Sequence, residues 1–296
     1  MTETILEKPE YGPTNDVIFK CLFGNKGNEK IAKSFLEYVT GEKIEQISTD
    51  CKLDLQRKSP KSKKMEADLI AKDEKLRKYI IEMQRKAYNY LPERFIGYLS
   101  NVYIADIKVA EDYEKLKRTV MVIVMEENLK NLKDLPDYHT TWNCREKNHP
   151  EKILTKSTEI HIIELSKYKK QKTINHEIVP WLEFLINPYG EEVINMARTM
   201  EELEAAVKQL HLLNSDEEVR RIADAEDWAE YDRQMQLAEI RETGMAEGLA
   251  EGTAIGEKKA KLEIAKKLLK NNTDIKTILD LTDLKECDLT ELLEAM

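Results

Sequence analysis

"MEADLIAKDEKLRKYIIEMQ", Met65 to Gln84, decides how the chain is read. Two apolar, partly β-branched runs flank the polar turn "DEKL", so "KMEADLIAK" and "RKYIIEMQR" are predicted to form an antiparallel hairpin. The first strand carries Asp68, and the second carries Glu82 and Gln84. Strand interiors are poor places for acids. Side chains two apart share a face of a sheet, so Glu82 and Gln84 project together while Ile81 and Met83 pack on the other side. Pairing around the turn with residue sums of about 150 sets Asp68 opposite Glu82. Two carboxylates so placed repel by roughly 4 kcal/mol at 4 Å and an effective dielectric of 20, and something must offset that.

Three readings meet this requirement. A hard divalent cation, Mg²⁺ or Mn²⁺, suits clustered oxygen ligands and would bring substrate phosphate oxygens with it. A pair of carboxylates could do acid–base work as in glycosidases, although stacking aromatics for a sugar are missing from the sequence pattern. The third reading is an exposed hairpin whose acids pair with Lys64, Arg77 or Lys78 in solvent.

Outward from the hairpin, "TNDVIFKCLFGN" predicts a helix from about Asn15 to Phe23, ended by Gly24. "NEKIAKSFLEYVTG" predicts a second, with Ile31, Phe35 and Val39 on one face and Gly41 as its stop. "KIEQISTDCKLDL" suits a strand. After the hairpin, "LPERFIGYLSNVYIADIKVAEDY" reads as one long helix with a stripe of Phe95, Tyr98, Leu99, Val102 and Ile107. "RTVMVIVMEE" is a continuous apolar run that fits a buried central strand, and "STEIHIIELSKY" is a further strand. From about Val179 onward every segment reads as helix.

Charge is distributed unevenly. The chain of 296 residues has a net charge of −9. The segment from Thr199 to Glu257 carries 16 acidic and 5 basic residues, whereas Lys52 to Lys86 carries 12 basic against 6 acidic. The hairpin therefore sits in a basic neighbourhood, and a local field rather than the global sum steers a polyanion. Four cysteines lack CxxC spacing, so neither a zinc site nor a disulfide frame is expected. No apolar run reaches membrane-spanning length and the first residues lack a secretory pattern, which together point to a cytoplasmic protein.

The combination of an N-terminal helix carrying an acid, an Asp, a hairpin and Glu-x-Gln within a strand resembles the PD-(D/E)XK phosphodiesterase core. More specifically, "TNDVIFKCLFGN" followed by "ADLIAKD", "IIEMQ" and a long Tyr-rich helix is similar to the Rpn-type recombination-promoting nucleases, also called PD-(D/E)XK nuclease family transposases. The resemblance covers nearly the whole chain. It implies an α/β fold with a restriction-endonuclease-like core, a mixed central sheet flanked by helices, followed by an α-helical C-terminal region. It also implies a Mg²⁺- or Mn²⁺-dependent endonuclease that hydrolyses DNA phosphodiester bonds, or a weakly active or inactive relative that binds DNA or protein as a scaffold. Asp68 and Glu82 would hold the metal together with the backbone carbonyl of Met83, and Gln84 would aim the attacking water. Asp16 matches an N-terminal acid that helps position metal or water in related nucleases. Lys64, Lys86, Arg94 and Tyr98 are the candidate substrate contacts. The chain departs from the wider superfamily at Ala67, where many relatives carry Pro, and at Gln84, where Lys is usual.

The expected organisation is a nuclease-like domain over 1–175, an acidic helical region over 176–243, a linker over 244–257 and a small helical tail over 258–296. The linker repeats glycine at Gly244, Gly248, Gly252 and Gly256, which predicts a fraying helix rather than a tight seam. In the tail, Thr273 and Asp274 cap a helix, and Asp283 stands where a left-handed turn residue is needed. The acidic last helix argues against reading DNA sequence there and for packing or homo-oligomer contact. The five histidines show no metal-binding spacing, and His161 is expected to be structural. Trp142 and Trp181 are expected to pack inside.

Overall fold

The structure, a computed structural model, describes residues 10–50, 69–107, 112–171 and 177–294. Two helices open it. α1 (Asp16–Gly24) begins at Asn15, whose side chain accepts hydrogen bonds from the amides of Val17 and Ile18. α2 (Glu29–Thr40) ends at Gly41, whose φ of 69° is left-handed, as its place at the helix stop requires. There follow β1 (Ile47–Asp50), β2 (Leu69–Asp73), β3 (Lys78–Gln84), α3 (Leu91–Ile104), β4 (Thr119–Met125), β5 (His139–Trp142) and β6 (Thr158–Glu164). Among the described residues these strands form one mixed six-stranded sheet in the order β1-β2-β3-β4-β6-β5. The inner trio β3, β4 and β6 is parallel, and the remaining pairings are antiparallel.

The hairpin has the expected register. Leu69 pairs with Ile81 and Lys72 with Lys78, each a residue sum of 150. Asp68 itself lies outside the described residues. The turn is tied by the Asp73 carboxylate, which is fully buried. It accepts from the amides of Lys75 and Arg77 at 2.9 and 2.8 Å, from the Tyr79 hydroxyl at 3.2 Å, and from the Arg77 guanidinium.

Helices cover both faces of the sheet. On one side Tyr79, Ile81 and Met83 of β3 pack with Val120, Val122 and Val124 of β4 against α1 and α2. This core extends through α4 (Leu165–Gln171), α5 (Val179–Ile186), α6 (Glu191–Ala197) and α7 (Glu201–Ser215). Phe23, Phe35 and the fully buried Trp181 meet there with ring centroids 5.1 to 6.1 Å apart. On the other side Ile80, Met121 and Ile123 pack under Leu91, Phe95, Tyr98, Leu99 and Val102 of α3. All seven residues of β4 are buried, which is the double-sided cover that its continuous apolar run predicted.

Several boundaries differ from the sequence reading. α3 stops at Ile104 instead of running to Tyr113. Buried Lys78 donates to the end carbonyls of Val102 and Tyr103, at 2.5 and 3.3 Å, and pairs with Asp106 at 3.0 Å. A cation at a helix C-terminus satisfies the carbonyls that another turn would otherwise occupy. "STEIHIIELSKY" is divided between β6 and α4. The edge strand β5 went unpredicted, and its Trp142 is exposed rather than packed, with its indole N–H donating to Thr140 at 2.9 Å.

The chain divides into two compact units, 1–226 and 227–296. α8 (Glu217–Lys270) is one helix of 54 residues and runs unbroken through all four glycines of the repeat. It is followed by α9 (Ile275–Thr282) and α10 (Glu286–Glu294). Ala265, Ile278 and Leu289 form the small core shared by these three helices. Asp274 caps α9 by accepting from the Thr277 amide at 3.0 Å, and Asp283 closes it with a left-handed φ of 54°. Among the described residues no helix is long and apolar enough to cross a membrane.

Because Asp73 gathers four donors at full burial, Asp73→Ala is expected to lower unfolding free energy by about 3 kcal/mol. Urea denaturation followed by circular dichroism measures this, and a change within about 0.5 kcal/mol would contradict the role given to the turn.

Candidate functional site

Strand alternation puts Glu82 on the α3 face of the sheet, beside Ile80, and its residue exposure is 0%. Gln84, two residues on, shares that face, and its amide Nε2 donates to Glu82 Oε2 at 3.4 Å. A carboxylate is removed from water only where opposite charge or donors surround it. Beyond the strand, the parallel register Gln84–Met125 brings the segments after β3 and β4 alongside each other. The amide of Glu126 donates to the Gln84 carbonyl at 3.0 Å, and Arg85 lies 3.9 Å from the Glu126 carboxylate. Glu127 accepts from Lys86 and from the Ala87 amide, both at 3.0 Å. Partial burial alone would raise the Glu127 carboxyl, but the Ala87 amide and the Lys86 ammonium outweigh it and hold the carboxyl below the usual range.

The next helix supplies a second cation. Arg94 donates from Nε to the Tyr98 hydroxyl at 2.7 Å and lies 4.9 Å from the centre of that ring. Tyr98 is 6% exposed, so its ring lies largely out of water beneath the arginine that it holds.

Of the residues picked out in the sequence, Glu82, Gln84, Lys86, Arg94 and Tyr98 thus occur along one stretch, β3 and the start of α3. Met83 turns its side chain into the opposite core, which leaves only its carbonyl as a possible ligand. Asp16 is the first residue of α1, a helix packed on the face opposite Glu82. Asp68 and Lys64 lie outside the described residues. Among the described residues no group of three His, Cys, Asp or Glu side chains is placed to hold a metal ion. Glu82 nevertheless has the donor chemistry of a hard cation site, being a buried carboxylate oxygen on a rigid strand. Glu126 and Glu127 were missed in the sequence, because only the non-local β3–β4 register carries them to Arg85 and Lys86.

Residues 13–240 match the model of the family described as PD-(D/E)XK nuclease family transposase. The chain belongs to this family. The mixed six-stranded sheet with helices on both faces agrees with the α/β core of PD-(D/E)XK proteins. The match spans β3 and α3, and so takes in the Glu-x-Gln strand and the cations after it. No curated protein and no solved structure matches the chain.

A second polar region lies toward the N-terminal ends of β3, β4 and β6, in this family member an open cleft of about 800 Å³ lined by Glu42, Arg118, His139, Thr141, Glu159 and His161 among others. Glu42 pairs with both Arg77 and Arg118, and Arg118 reaches Glu159 at 3.0 Å. Glu159 in turn meets His161 Nε2 at 3.0 Å, and His161 Nδ1 lies 2.9 Å from His139 Nε2. His161 is 4% exposed and joins Glu159 to His139. Its burial outweighs the Glu159 carboxylate and moves the imidazole below its ordinary value.

The folded state therefore binds fewer protons than the unfolded chain just below the ordinary histidine value, about 6.5. This contribution to stability is complete above that value and is lost as the pH falls through it. Thermal unfolding between about pH 7.5 and 5 should show a falling midpoint that His161→Gln flattens. An unchanged slope in the variant would remove His161 as its source.

Proposed function

We propose that the protein is a divalent-metal-dependent DNA endonuclease, with the site built on β3. The reading is carried by Glu82, a fully buried carboxylate two residues from Gln84 in the strand where a member of this family would place its catalytic acid. Glu82, Asp68 and the Met83 carbonyl would hold Mg²⁺ or Mn²⁺, all of them hard oxygen donors. When bound, such an ion offsets the carboxylate charge, polarises a phosphoryl oxygen and eases deprotonation of water.

The chain's own groups do the positioning. The Gln84 amide offers an acceptor and two donors, which suits it to aim a water at phosphorus in line with the leaving oxygen. Lys86 and Arg94 would bind phosphate oxygens on either side of the scissile bond, with Tyr98 fixing the Arg94 plane. The biological setting would be recombination or mobile-element handling in the cytoplasm, with DNA as the partner.

A second copy of the chain is a further proposed partner, through the C-terminal helices. Trp228, Tyr231, Met235, Met245 and Leu249 of α8 are exposed and follow one another at steps of three, four, ten and four residues, which all fall on one heptad seam. Gln84 supports a second reading of the whole molecule. It brings no cation to the developing oxyanion, as Lys would, which favours a slow enzyme or a DNA- or protein-binding scaffold.

Plasmid nicking tests the enzyme directly. Cleavage is expected with Mg²⁺ or Mn²⁺, to vanish in EDTA, and to fall roughly 10²-fold or more in Asp68→Ala and Glu82→Gln. Cleavage that survives both substitutions defeats the assignment, and no cleavage by the intact chain selects the scaffold. Gln84→Lys should raise the rate about 10-fold by adding charge at the oxyanion. For the oligomer, sedimentation should show a dimer or larger species that Leu249→Glu dissociates, and an unaltered monomer would end that proposal.

A further inference from the structure

The segment between β3 and α3, "RKAYNY" over 85–90, carries a feature that the hydrolytic chemistry does not use. The rings of Tyr88 and Tyr90 are stacked, with centroids 5.3 Å apart and planes within 6° of parallel. Tyr88 is half-buried against the α3-side core, so the pair has an anchored member. Tyr90 is 57% exposed. Bonds from backbone amides fix the segment at three points: the Ala87 amide to the Glu127 carboxylate, the Leu91 amide to the Tyr88 carbonyl, and the Arg94 amide to the Tyr90 carbonyl. A stack of two phenol rings held this way presents a flat apolar surface to solvent, and burial of Tyr90 is not what keeps it in place.

The surroundings suit a nucleic-acid strand. Arg85 and Lys86 precede the pair with about half of each side chain exposed, at 46% and 50%. Their partners Glu126 and Glu127 form exposed pairs of the kind that contribute little and exchange readily for phosphate. Tyr90 lies six positions after Gln84, a reach of at most about 20 Å, so a strand whose phosphate lay at Gln84 would pass the rings within a few nucleotides.

We propose that Tyr88 and Tyr90 form a stacking platform for one unpaired base flanking the phosphate held at the β3 site. The preferred substrate is then single-stranded or locally unpaired DNA rather than intact duplex. The proposal rests on the nuclease reading for the position of that phosphate. Its physical basis is that every base has a π-face and stacks on tyrosine without regard to sequence. A base within a duplex has both faces occupied by its neighbours and reaches a protein ring only when it leaves the stack.

The test uses the full chain in EDTA, so that cleavage plays no part. The probe is a 12-nucleotide single strand carrying 2-aminopurine, compared with the same strand in a duplex. The single strand should bind more tightly and its fluorescence should be quenched. Tyr90→Ala should weaken single-strand binding roughly 5- to 150-fold and leave the duplex unaffected. Tyr90→Trp should retain both affinity and quenching. Circular dichroism guards against misfolding, which the exposure of Tyr90 makes no part of the expectation. Equal affinity of Tyr90→Ala and the parent for the single strand overturns the platform, as does an equal loss for strand and duplex. Tyr90-dependent binding without any metal-dependent nicking would instead sink the nuclease reading and leave the platform standing. Nicking that Tyr90→Ala leaves unchanged on both substrates would do the reverse.

Discussion

Covering β3 on both faces constrains everything around it, because that strand carries a carboxylate at full burial. Tyr79, Ile81 and Met83 are committed to one core, and Ile80 to the other, so Glu82 has no route to solvent through a shift of register. A one-residue slip would drive Glu82 into the core beneath α1 and α2 and turn Ile81 toward α3. The parallel ladder to β4 pins the same register from the other side, since Glu82 pairs with Ile123 in a strand that is buried throughout. The position of the candidate acid is therefore a packing consequence, and the core holds it on a rigid strand.

The sheet separates two kinds of polar cluster. Near the C-terminal end of β3, Gln84, Lys86 and Arg94 stand where the strand gives way to loop and helix, and their polar groups are partly open. Toward the other end, Asp73, Arg77, Glu42, Arg118 and Glu159 form a chain of paired charges, and His161 is joined to Glu159 at its end. In that chain each cation touches two acids, an arrangement that fixes the hairpin turn and the start of β4 more than it attracts a ligand. Ligands of parallel sheets meet the strands at their carboxyl ends, where loops diverge. Glu82 and Gln84 stand at that end of β3.

The unit over 227–296 obeys different physics. Gly244, Gly248, Gly252 and Gly256 each weaken a helix by about 1 kcal/mol relative to alanine, yet α8 continues through them with no capping residue or proline to stop it. Its exposed Trp228, Tyr231, Met235 and Leu249 show that the helix is not held by burial of one face within this unit. Among the described residues of this unit, its last turns share a small core with α9 and α10, and there Asp283 accepts the left-handed geometry that a sharp stop demands.

Local signals were enough for a good share of this. The polar "DEKL" between two apolar runs set the hairpin and its register, the Asn15, Gly41, Asp274 and Asp283 caps marked helix ends, and the unbroken apolar run of β4 announced a strand covered on both sides. The Glu-x-Gln spacing also placed Glu82 and Gln84 on one face, because alternation is a property of the strand alone. What the sequence could not disclose depends on partners distant along the chain. β5 has four polar or half-exposed residues and exists only because β6 pairs with it. α3 ends where Lys78 meets its carbonyls, and Glu127 reaches Lys86 only through the parallel ladder between β3 and β4. Side-chain period is written in consecutive residues, whereas strand order and cross-chain ion pairs are settled by which buried surfaces meet, and only the folded chain decides that.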